Sequence, residues 1–310
     1  MKYLKLIRFQ NLLLLALMQL IFRYGFLKLQ NVPLALNHFL YGLLILSTVL
    51  IAAAGYIIND ILDQGTDFDN KPDNIIVGKS ISEKTAYNLY FILNIMGVGI
   101  GYYLSNVINK PSFAGAFIIV SATLYLYATS LKQMVIVGNI VIAMLLSFSV
   151  IIIGLFDLLP AIDVGNKVEM GILFSMLIDY AIFAFILNFI REIVKDMEDV
   201  VGDYNQGMST LPIVFGIKNT VKIIFGCAVI ATISLLWYIN TYLKENGLYF
   251  AVLYGLLLIV MPLIFFVIKN WNAKSKQEFH LLSTVLKGVI FFGILSVLVI
   301  TLNIHLNAKG

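Results

Sequence analysis

Long runs of apolar residues recur along almost the whole 310-residue chain. A helix needs about 20 such residues to cross a bilayer. Sixty per cent of the residues are apolar and only 12% are charged, which is too few to coat a globular surface, so lipid must be the solvent. We therefore predict an all-α integral membrane bundle, one domain over residues 1–310, with nine transmembrane helices near 9–29, 39–58, 87–107, 113–130, 134–156, 170–190, 223–243, 248–268 and 288–307.

The first apolar run is the weakest, because Arg23 interrupts it. Lys2, Lys5 and Arg8 precede the run, which superficially resembles a secretory signal. No small-residue cleavage site follows, so we predict a retained first helix. Arg23 is expected near the far face of the membrane, with its charge extended toward water.

The distribution of basic residues predicts the orientation. With nine spans, 15 Lys and Arg residues fall on the side of the N-terminus and 6 on the other side. An excess of Lys and Arg marks cytoplasmic loops, so we predict a cytoplasmic N-terminus and an external C-terminus. The net charge of +4 is small and gives no reason to expect nucleic acid as a partner. The single cysteine, Cys227, excludes a disulfide framework or a thiolate metal site.

Two long loops on the predicted cytoplasmic side, 59–86 and 191–220, hold most of the acidic residues. Each contains three aspartates with the spacing D-x₂-D-x₃-D, and the second set follows the first by 136 residues. The first trio is Asp60, Asp63 and Asp67, and the second trio is Asp196, Asp199 and Asp203. Each trio follows an apolar run, four spans apart, so the two have the same membrane orientation.

The spacing of each trio predicts a metal site. On a helix, positions i, i+3 and i+7 lie within about 60° of each other, so three carboxylates would point in one direction. Continuing the second helix backward places Glu192 and Asn188 on the same face. A single acidic loop is usually only a solvated cap, but the repeated spacing favours metal binding. Oxygen ligands suit Mg²⁺, which takes one or two carboxylates together with phosphate oxygens.

Two facing trios would hold a diphosphate between metal ions and help it leave as its bond to carbon breaks. A prenyl diphosphate suits both parts of such a protein, because its head is charged and its tail is a hydrocarbon. The six aspartates are therefore our candidate catalytic and metal-binding residues, and Mg²⁺ is the predicted cofactor. The Tyr and Phe side chains could shield a carbocation, although most must serve packing in the membrane.

Other polar residues near the trios are candidate contacts for substrate. Lys71 and Lys79 could instead be loop cations, and Lys132 could instead be a positive-inside anchor. His38, His280 and His305 have no metal-ligand spacing, and we expect them at the membrane interface. The candidate substrate-binding residues are Arg8, Asn11, Asn59, Lys71, Lys132, Arg191 and Lys195.

At these residues the chain resembles the UbiA superfamily of intramembrane prenyltransferases. The first motif of that family reads here as Asn59, Asp60, Asp63 and Asp67, and the second as Asp196, Asp199 and Asp203. The resemblance implies nine transmembrane helices around a central cavity that opens sideways to lipid. It also implies two Mg²⁺ ions between the trios.

The stretch 191–203, followed by Ser209-Thr-Leu-Pro212 and Gly216, resembles the branch that includes archaeal digeranylgeranylglyceryl phosphate synthases. This resemblance implies transfer of a geranylgeranyl group to the hydroxyl of geranylgeranylglyceryl phosphate, an ether-lipid step. Prenyltransferases of quinone and chlorophyll synthesis share related motifs and remain the alternative. Asp73 departs from the small-residue segment expected after Asn70-Lys71-Pro72, and it adds a negative charge near the diphosphate.

Two other classes of protein remain open on the sequence alone. A secondary transporter also combines repeats with intramembrane charge, but its charges usually lie at the midplane. A lipid-binding protein without catalytic activity could use the same scaffold. The predicted partners are a prenyl diphosphate, a lipid-soluble acceptor and membrane lipids, with no protein partner. Acceptor identity, prenyl chain length and oligomeric state do not follow from the sequence.

Overall fold

The computed structural model describes residues 1–70 and 72–307, and over these residues the chain is all-helical. Its helices are α1 (Lys2–Leu6), α2 (Phe9–Gly25), α3 (His38–Leu62), α4 (Gln64–Asn70), α5 (Glu83–Val107), α6 (Ala114–Thr129), α7 (Val137–Ile153), α8 (Lys167–Asn205), α9 (Leu211–Phe215), α10 (Ile217–Tyr238), α11 (Tyr249–Gly255), α12 (Met261–Asn272) and α13 (Lys276–Asn307). Three π-helical turns extend or join them, at Gly154–Leu158, Ile239–Lys244 and Leu256–Val260.

Eight helical segments in the described part of the chain are long and apolar enough to cross a bilayer, so the protein is an integral membrane protein. They agree with eight of the nine predicted spans. The segments are Phe9–Gln30, His38–Leu62, Pro111–Thr129, Val137–Ala161, Lys167–Asn205, Ile217–Lys244, Tyr249–Asn272 and Lys276–Asn307.

Helix α5 occupies the position of the remaining predicted span, near 87–107. It is 25 residues long. It is less apolar than the eight segments, because Glu83 and Lys84 open it and Asn88, Asn94 and Asn106 lie within it. The length of α5 therefore fits a bilayer, whereas its composition alone does not mark it as a span.

Helix α5 packs closely on α3 at Gly97. The Ser47 hydroxyl donates a hydrogen bond of 2.6 Å to the carbonyl oxygen of Gly97. A Cβ at Gly97 would lie 2.7 Å from a side-chain carbon of Ile51 and 3.2 Å from the carbonyl oxygen of Ser47. Small residues allow this approach between membrane helices, so α5 is an integral part of the bundle.

Six of the long helices form a closed ring. Each helix of the ring contacts the next and the last contacts the first, in the order α2, α3, α6, α7, α8 and α13. Helix α5 packs against α3 and α6, α10 packs against α8 and α12, and α12 packs against α13. Side chains that point inward from the ring can therefore meet, even when they are far apart in sequence.

Helix α8 is much longer than its apolar run. Its 39 residues span about 58 Å at 1.5 Å per residue, roughly twice the thickness of a bilayer core. The segment 191–205, expected to lie in a loop between two membrane spans, continues the helix, as the spacing of the second trio predicted. Its charged residues have good helix propensity, so the helix continues beyond the apolar run. The second trio consequently lies on one rigid helix.

The first trio is built differently. Helix α3 ends at Leu62, Asp63 is its C-cap, and Asp67 lies on the short α4. The amide of Asp63 still bonds the carbonyl of Asn59 at 2.8 Å, and the amide of Asp67 bonds the carbonyl of Asp63 at 2.8 Å. The i to i−4 hydrogen bonds of a helix therefore continue across Asp63. The spacing predicted one continuous helix over residues 59–70, and the structure instead divides this segment between α3 and α4.

Arg23 does not extend toward water, so this expectation was wrong. Its side chain is 4% exposed and pairs with the fully buried Asp157 at 3.2 Å. The guanidinium also donates to the carbonyl oxygen of Leu36, and the amide of Leu36 donates to Asp157 at 2.9 Å. A buried carboxylate from α7's π-helical extension holds the arginine inside the protein, and together they fix the loop before α3.

Candidate active site

The carboxylates of the first trio contact two of the predicted substrate-binding cations. Arg8 Nη2 lies 2.9 Å from Asp60 Oδ1. Lys132 Nζ forms a salt bridge with Asp63 Oδ1, and the side chain of Asn59 donates to Asp63 Oδ2 at 2.5 Å. The structure thus brings Arg8, Asn59 and Lys132 together with the first trio.

Arg8 reaches Asp60 because of a local break in the chain. It lies between α1 and α2 and has a φ of 49°, in the left-handed region. Its guanidinium lies over the ring of Tyr56, 4.9 Å from the centroid, and the Tyr56 hydroxyl bonds the side chain of Asn11. Arg8 and Asn11 are therefore positioned at the first trio by the same tyrosine of α3.

The second trio is supported by an amide from α7. Asn139, which is 7% exposed, donates a hydrogen bond of 2.8 Å from Nδ2 to Asp196 Oδ2. One turn deeper on α8, Glu192 accepts from Lys195 at 2.6 Å and from Arg191 at 3.5 Å. Tyr127 of α6 is close enough to Glu192, Asp196 and Asp63 to interact electrostatically with all three.

Asn70 joins the two acidic segments. Its Nδ2 donates to the carbonyl oxygen of Asp199 at 2.9 Å, and its Oδ1 accepts from the amide of Gly202 at 2.9 Å. A second link runs from Asn205 Nδ2 to Asp69 Oδ2 at 3.1 Å. The two trios therefore lie at the same end of the bundle, which we call the aspartate end.

Two further contacts close the aspartate end. The amide of Ser209, in the segment after α8, donates to the carbonyl oxygen of Gln133 at 2.9 Å. Lys276, at the start of α13, donates to the carbonyl oxygen of Asn70 at 2.8 Å. The segments that follow both trios are thus tied to the rest of the bundle by hydrogen bonds to main-chain carbonyls.

The chemistry of the donor set fits divalent metal held together with phosphate. Over the described residues, no three acidic, histidine or cysteine side chains converge as a ready-made group for one ion. Instead, Asp60 and Asp63 contact cations, and Asp196 contacts an amide. Mg²⁺ commonly takes only one or two carboxylates and completes its shell with water and phosphate oxygens, so two facing trios suit ions that a diphosphate bridges.

Some predicted contacts lie elsewhere. Lys71 falls outside the described residues. The binding and catalytic roles of all the predicted site residues stay predictions. Lys79 donates to the carbonyl oxygen of Pro72 at 2.8 Å, so it braces its own loop. His280 lies 3.1 Å from Glu198, with its side chain 70% exposed.

Sequence reasoning missed several polar residues of the site. Asn139 and Lys287 each interrupt an apolar run, and an isolated polar residue in such a run is the signal that could have identified them. Asn70 and Gly202 carry no such signal, because both lie in polar segments. Their importance appears only when the two segments meet.

A separate apolar cavity of about 90 Å³ lies between α8, α10, α11 and α13. Its lining includes Asp179, Tyr180, Tyr238 and Tyr254 among mostly apolar side chains. Asp179 is 17 residues before Asp196 on α8, which places the cavity about 25 Å from the second trio. This cavity suits a hydrocarbon chain and is remote from the two aspartate trios.

The chain is similar to known proteins over most of its length. A digeranylgeranylglyceryl phosphate synthase of Thermococcus gammatolerans is 31% identical over 255 residues, which cover 81% of this chain and 82% of the relative. A protein of the same name from Methanoregula boonei is 32% identical over 216 residues, covering 68% of this chain and 71% of the relative.

Solved structures share the fold. A structure described for digeranylgeranylglyceryl phosphate synthase in membranes has a TM-score of 0.62 and 24% identity, covering 96% of this chain and 98% of the other. A UbiA homolog from Archaeoglobus fulgidus, bound to DMAPP and Mg²⁺, has a TM-score of 0.59 and 17% identity, covering 96% and 99%. The UbiA prenyltransferase family model matches residues 20–302, and the chain therefore belongs to the UbiA prenyltransferase family.

Proposed function

We propose that the protein transfers a geranylgeranyl group from geranylgeranyl diphosphate to the free hydroxyl of geranylgeranylglyceryl phosphate, with Mg²⁺ as cofactor. The observation that carries the proposal is the meeting of two aspartate trios at one end of a closed helical ring, joined through Asn70. Family membership makes the protein a prenyltransferase, which argues against a transporter. The names of the relatives support the acceptor.

The trios would hold Mg²⁺ through Asp60, Asp63 and Asp67 on one side and through Asp196, Asp199 and Asp203 on the other. Bound there, the metal supplies positive charge to the diphosphate as the bond to carbon breaks. Arg8 and Lys132 already lie against the first trio and would bind diphosphate oxygens from the protein side. Asn139 and Asn70 would hold the second trio in position.

The reaction forms one bond and breaks one. The acceptor hydroxyl oxygen bonds C1 of the prenyl chain, and the bond from C1 to the diphosphate oxygen breaks, with its electron pair leaving on diphosphate. The hydroxyl proton is lost to water or to the departing diphosphate. Tyr56 and Tyr127, on the two ring helices beside the trios, present aromatic side chains near the allylic cation that develops.

We also propose that α5 is the ninth membrane span and that the ring of helices encloses the substrate cavity. The length of α5 and its close packing on α3 support this. The proposed orientation, with the N-terminus and the aspartate end in the cytoplasm, follows from the excess of Lys and Arg on that side. Cysteine labelling from either side of intact cells would test the orientation at Ser209 and Asn246.

The proposal is tested with purified protein in lipid nanodiscs, geranylgeranyl diphosphate, Mg²⁺ and a panel of acceptors. Mass spectrometry should detect digeranylgeranylglyceryl phosphate, and chelation of Mg²⁺ with EDTA should abolish its formation. Asp63→Asn should remove nearly all activity, whereas Glu169→Gln, on the exposed opposite end of α8, should not change it. Transfer only to hydroxybenzoate or dihydroxynaphthoate would show that the acceptor is aromatic and is not geranylgeranylglyceryl phosphate. The absence of transfer to any acceptor would refute the proposal.

A further inference from the structure

Helix α13 places a lysine beside the second acidic segment. Helices α8 and α13 run antiparallel, because Glu198 pairs with His280 near the aspartate end, and Tyr180 bonds Ser296 at 3.1 Å deeper in the bundle. Seven residues inward from His280 is Lys287, and seven residues inward from Glu198 is Arg191. The register thus sets Lys287 opposite Arg191, and the two charges repel each other.

The hydrogen bond of Lys287 goes to a neutral partner. Its Nζ donates to Asn11 Oδ1 at 3.1 Å, and an amide oxygen carries no charge to balance the repulsion from Arg191. The side chain is only partly exposed. A lysine held beside an arginine and bonded to a neutral amide is costly unless an anion joins them.

Arg191 also has unused hydrogen-bonding capacity. Its Nε is buried and has no hydrogen-bond partner among the described residues. Its contact with Glu192 is long, at 3.5 Å, and Glu192 already accepts a bond of 2.6 Å from Lys195. A buried donor without an acceptor costs about 1–3 kcal/mol, so this part of the structure is suited to receive an acceptor atom.

The cations around Arg191 differ in how they are paired. Four cations, Arg8, Arg191, Lys195 and Lys287, lie close together at the inner side of the trios. Asp60 pairs with Arg8 at 2.9 Å and Glu192 pairs with Lys195 at 2.6 Å. Arg191 reaches Glu192 only at 3.5 Å and Lys287 bonds a neutral amide, so these two cations are the ones suited to bind a phosphate monoester.

We propose that Lys287 and Arg191 bind the phosphate group of the acceptor lipid, and that Lys287 is the residue that selects a phosphorylated acceptor over its free alcohol. This inference rests on the proposed function and adds the residues that recognise the acceptor. The site is distinct from the trios. The diphosphate of the donor lies between the aspartates, whereas the acceptor phosphate binds one to two helical turns deeper.

The spacing along α8 fits such an acceptor. Arg191 lies five residues before Asp196, which is about 7.5 Å along the helix axis. A phosphate anchored at Arg191 leaves room for a hydroxyl on a neighbouring carbon to point toward C1 of a prenyl chain whose diphosphate is held at Asp196.

The test compares two acceptors, geranylgeranylglyceryl phosphate and its dephosphorylated alcohol, in wild type and Lys287→Met. The wild type should prefer the phosphorylated acceptor in kcat/KM. Lys287→Met should raise the KM for that acceptor at least about tenfold, since a hydrogen bond to a charged group is lost. The KM for geranylgeranyl diphosphate and the rate with the alcohol should stay within about twofold, and Lys287→Arg should retain the preference.

Lys222→Met is the matched control, because Lys222 is an exposed cation of α10. If Lys287→Met unfolds in detergent, Lys287→Gln gives the same comparison with a polar side chain. An undiminished preference for the phosphorylated acceptor in either folded variant would overturn the inference, as would an equal loss with both acceptors. Indifference of the wild type to the phosphate would overturn it too, while leaving prenyl transfer intact. If the wild type prenylates neither acceptor, the proposed function itself fails.

Discussion

Asn70 and Gly202 lie 132 residues apart in sequence and are in direct contact, with the amide of Gly202 donating to Asn70 Oδ1 at 2.9 Å. A Cβ at Gly202 would lie 2.3 Å from Asn70 Nδ2 and would push the amide away. The absence of a side chain at position 202 is therefore what allows the two acidic segments to approach each other.

The first prediction concerns Gly202→Ala. In a helix this change alone favours folding by about 1 kcal/mol, but here it displaces Asn70. We expect turnover to fall about 10- to 100-fold and the Mg²⁺ concentration for half-maximal activity to rise, because the two trios no longer align. Prenyl transfer measured across an Mg²⁺ titration checks this.

Two control variants test whether the Gly202→Ala effect is steric. Gly171 lies on the same helix, and a Cβ there would meet nothing within 4 Å, so Gly171→Ala should leave activity unchanged. In an Asn70→Ala background, Gly202→Ala should add little further loss, since the clash is gone. Additive losses in the double variant would contradict the steric explanation.

The second prediction tests whether Lys132 contributes to diphosphate binding or to metal binding. Lys132→Met removes the cation that contacts Asp63, so the carboxylate becomes freer to bind metal. We expect the KM for the prenyl diphosphate to rise about tenfold or more, whereas Mg²⁺ binding without substrate should not weaken. Steady-state kinetics and Mg²⁺ titration calorimetry give the two numbers. A weaker Mg²⁺ affinity in the variant would show that Lys132 orients Asp63 instead of binding diphosphate.

The third prediction concerns the amide behind the second trio. Asn139→Leu leaves the Asp196 carboxylate without its hydrogen bond in a buried position. We expect about a 10- to 100-fold loss of turnover, because an unsupported ligand is poorly oriented. Activity at saturating Mg²⁺ is the measurement. Ser147→Ala on the same helix, where the hydroxyl bonds only its own backbone, is the control.

The fourth prediction concerns stability at the opposite end of the bundle. Arg23→Met leaves Asp157 buried without its cationic partner, which costs about 3–5 kcal/mol, whereas Arg23→Met with Asp157→Leu should recover most of the loss. Thermal unfolding in detergent checks both. Arg23 is 15 residues from Arg8, about 22 Å along α2, so the folded variants should keep their KM values. A double variant less stable than either single one would contradict this account.

Features that depend on nearby residues could be predicted from the sequence. The apolar runs gave eight membrane spans that the structure confirms, and the spacing of the aspartates predicted two trios, which the fold brings to one end. Family membership was also confirmed. Each of these depends on residues within about one helix of each other, where periodicity carries the information.

What could not be predicted depends on partners far away in sequence. The burial of Arg23 requires Asp157, 134 residues later, and the position of Lys287 requires Arg191 on an antiparallel neighbour. The spacing of the second trio predicted a helix past residue 190. A fall in hydropathy looks the same for a loop and for a helix that leaves the membrane, so the end of α8 at Asn205 could not be predicted.

The uninterrupted course of α8 has a consequence for how the site adjusts. Arg191 and the second trio share one rigid rod, so their separation and their angular phase are set by helical geometry. Inserting a single residue between Arg191 and Asp196 would rotate Arg191 by about 100° relative to the second trio. The first trio, divided at Asp63, has no such constraint. The proposed site would therefore combine a rigid part on α8 with a part on α4 that can move, and α4 would adjust its position to a bound diphosphate.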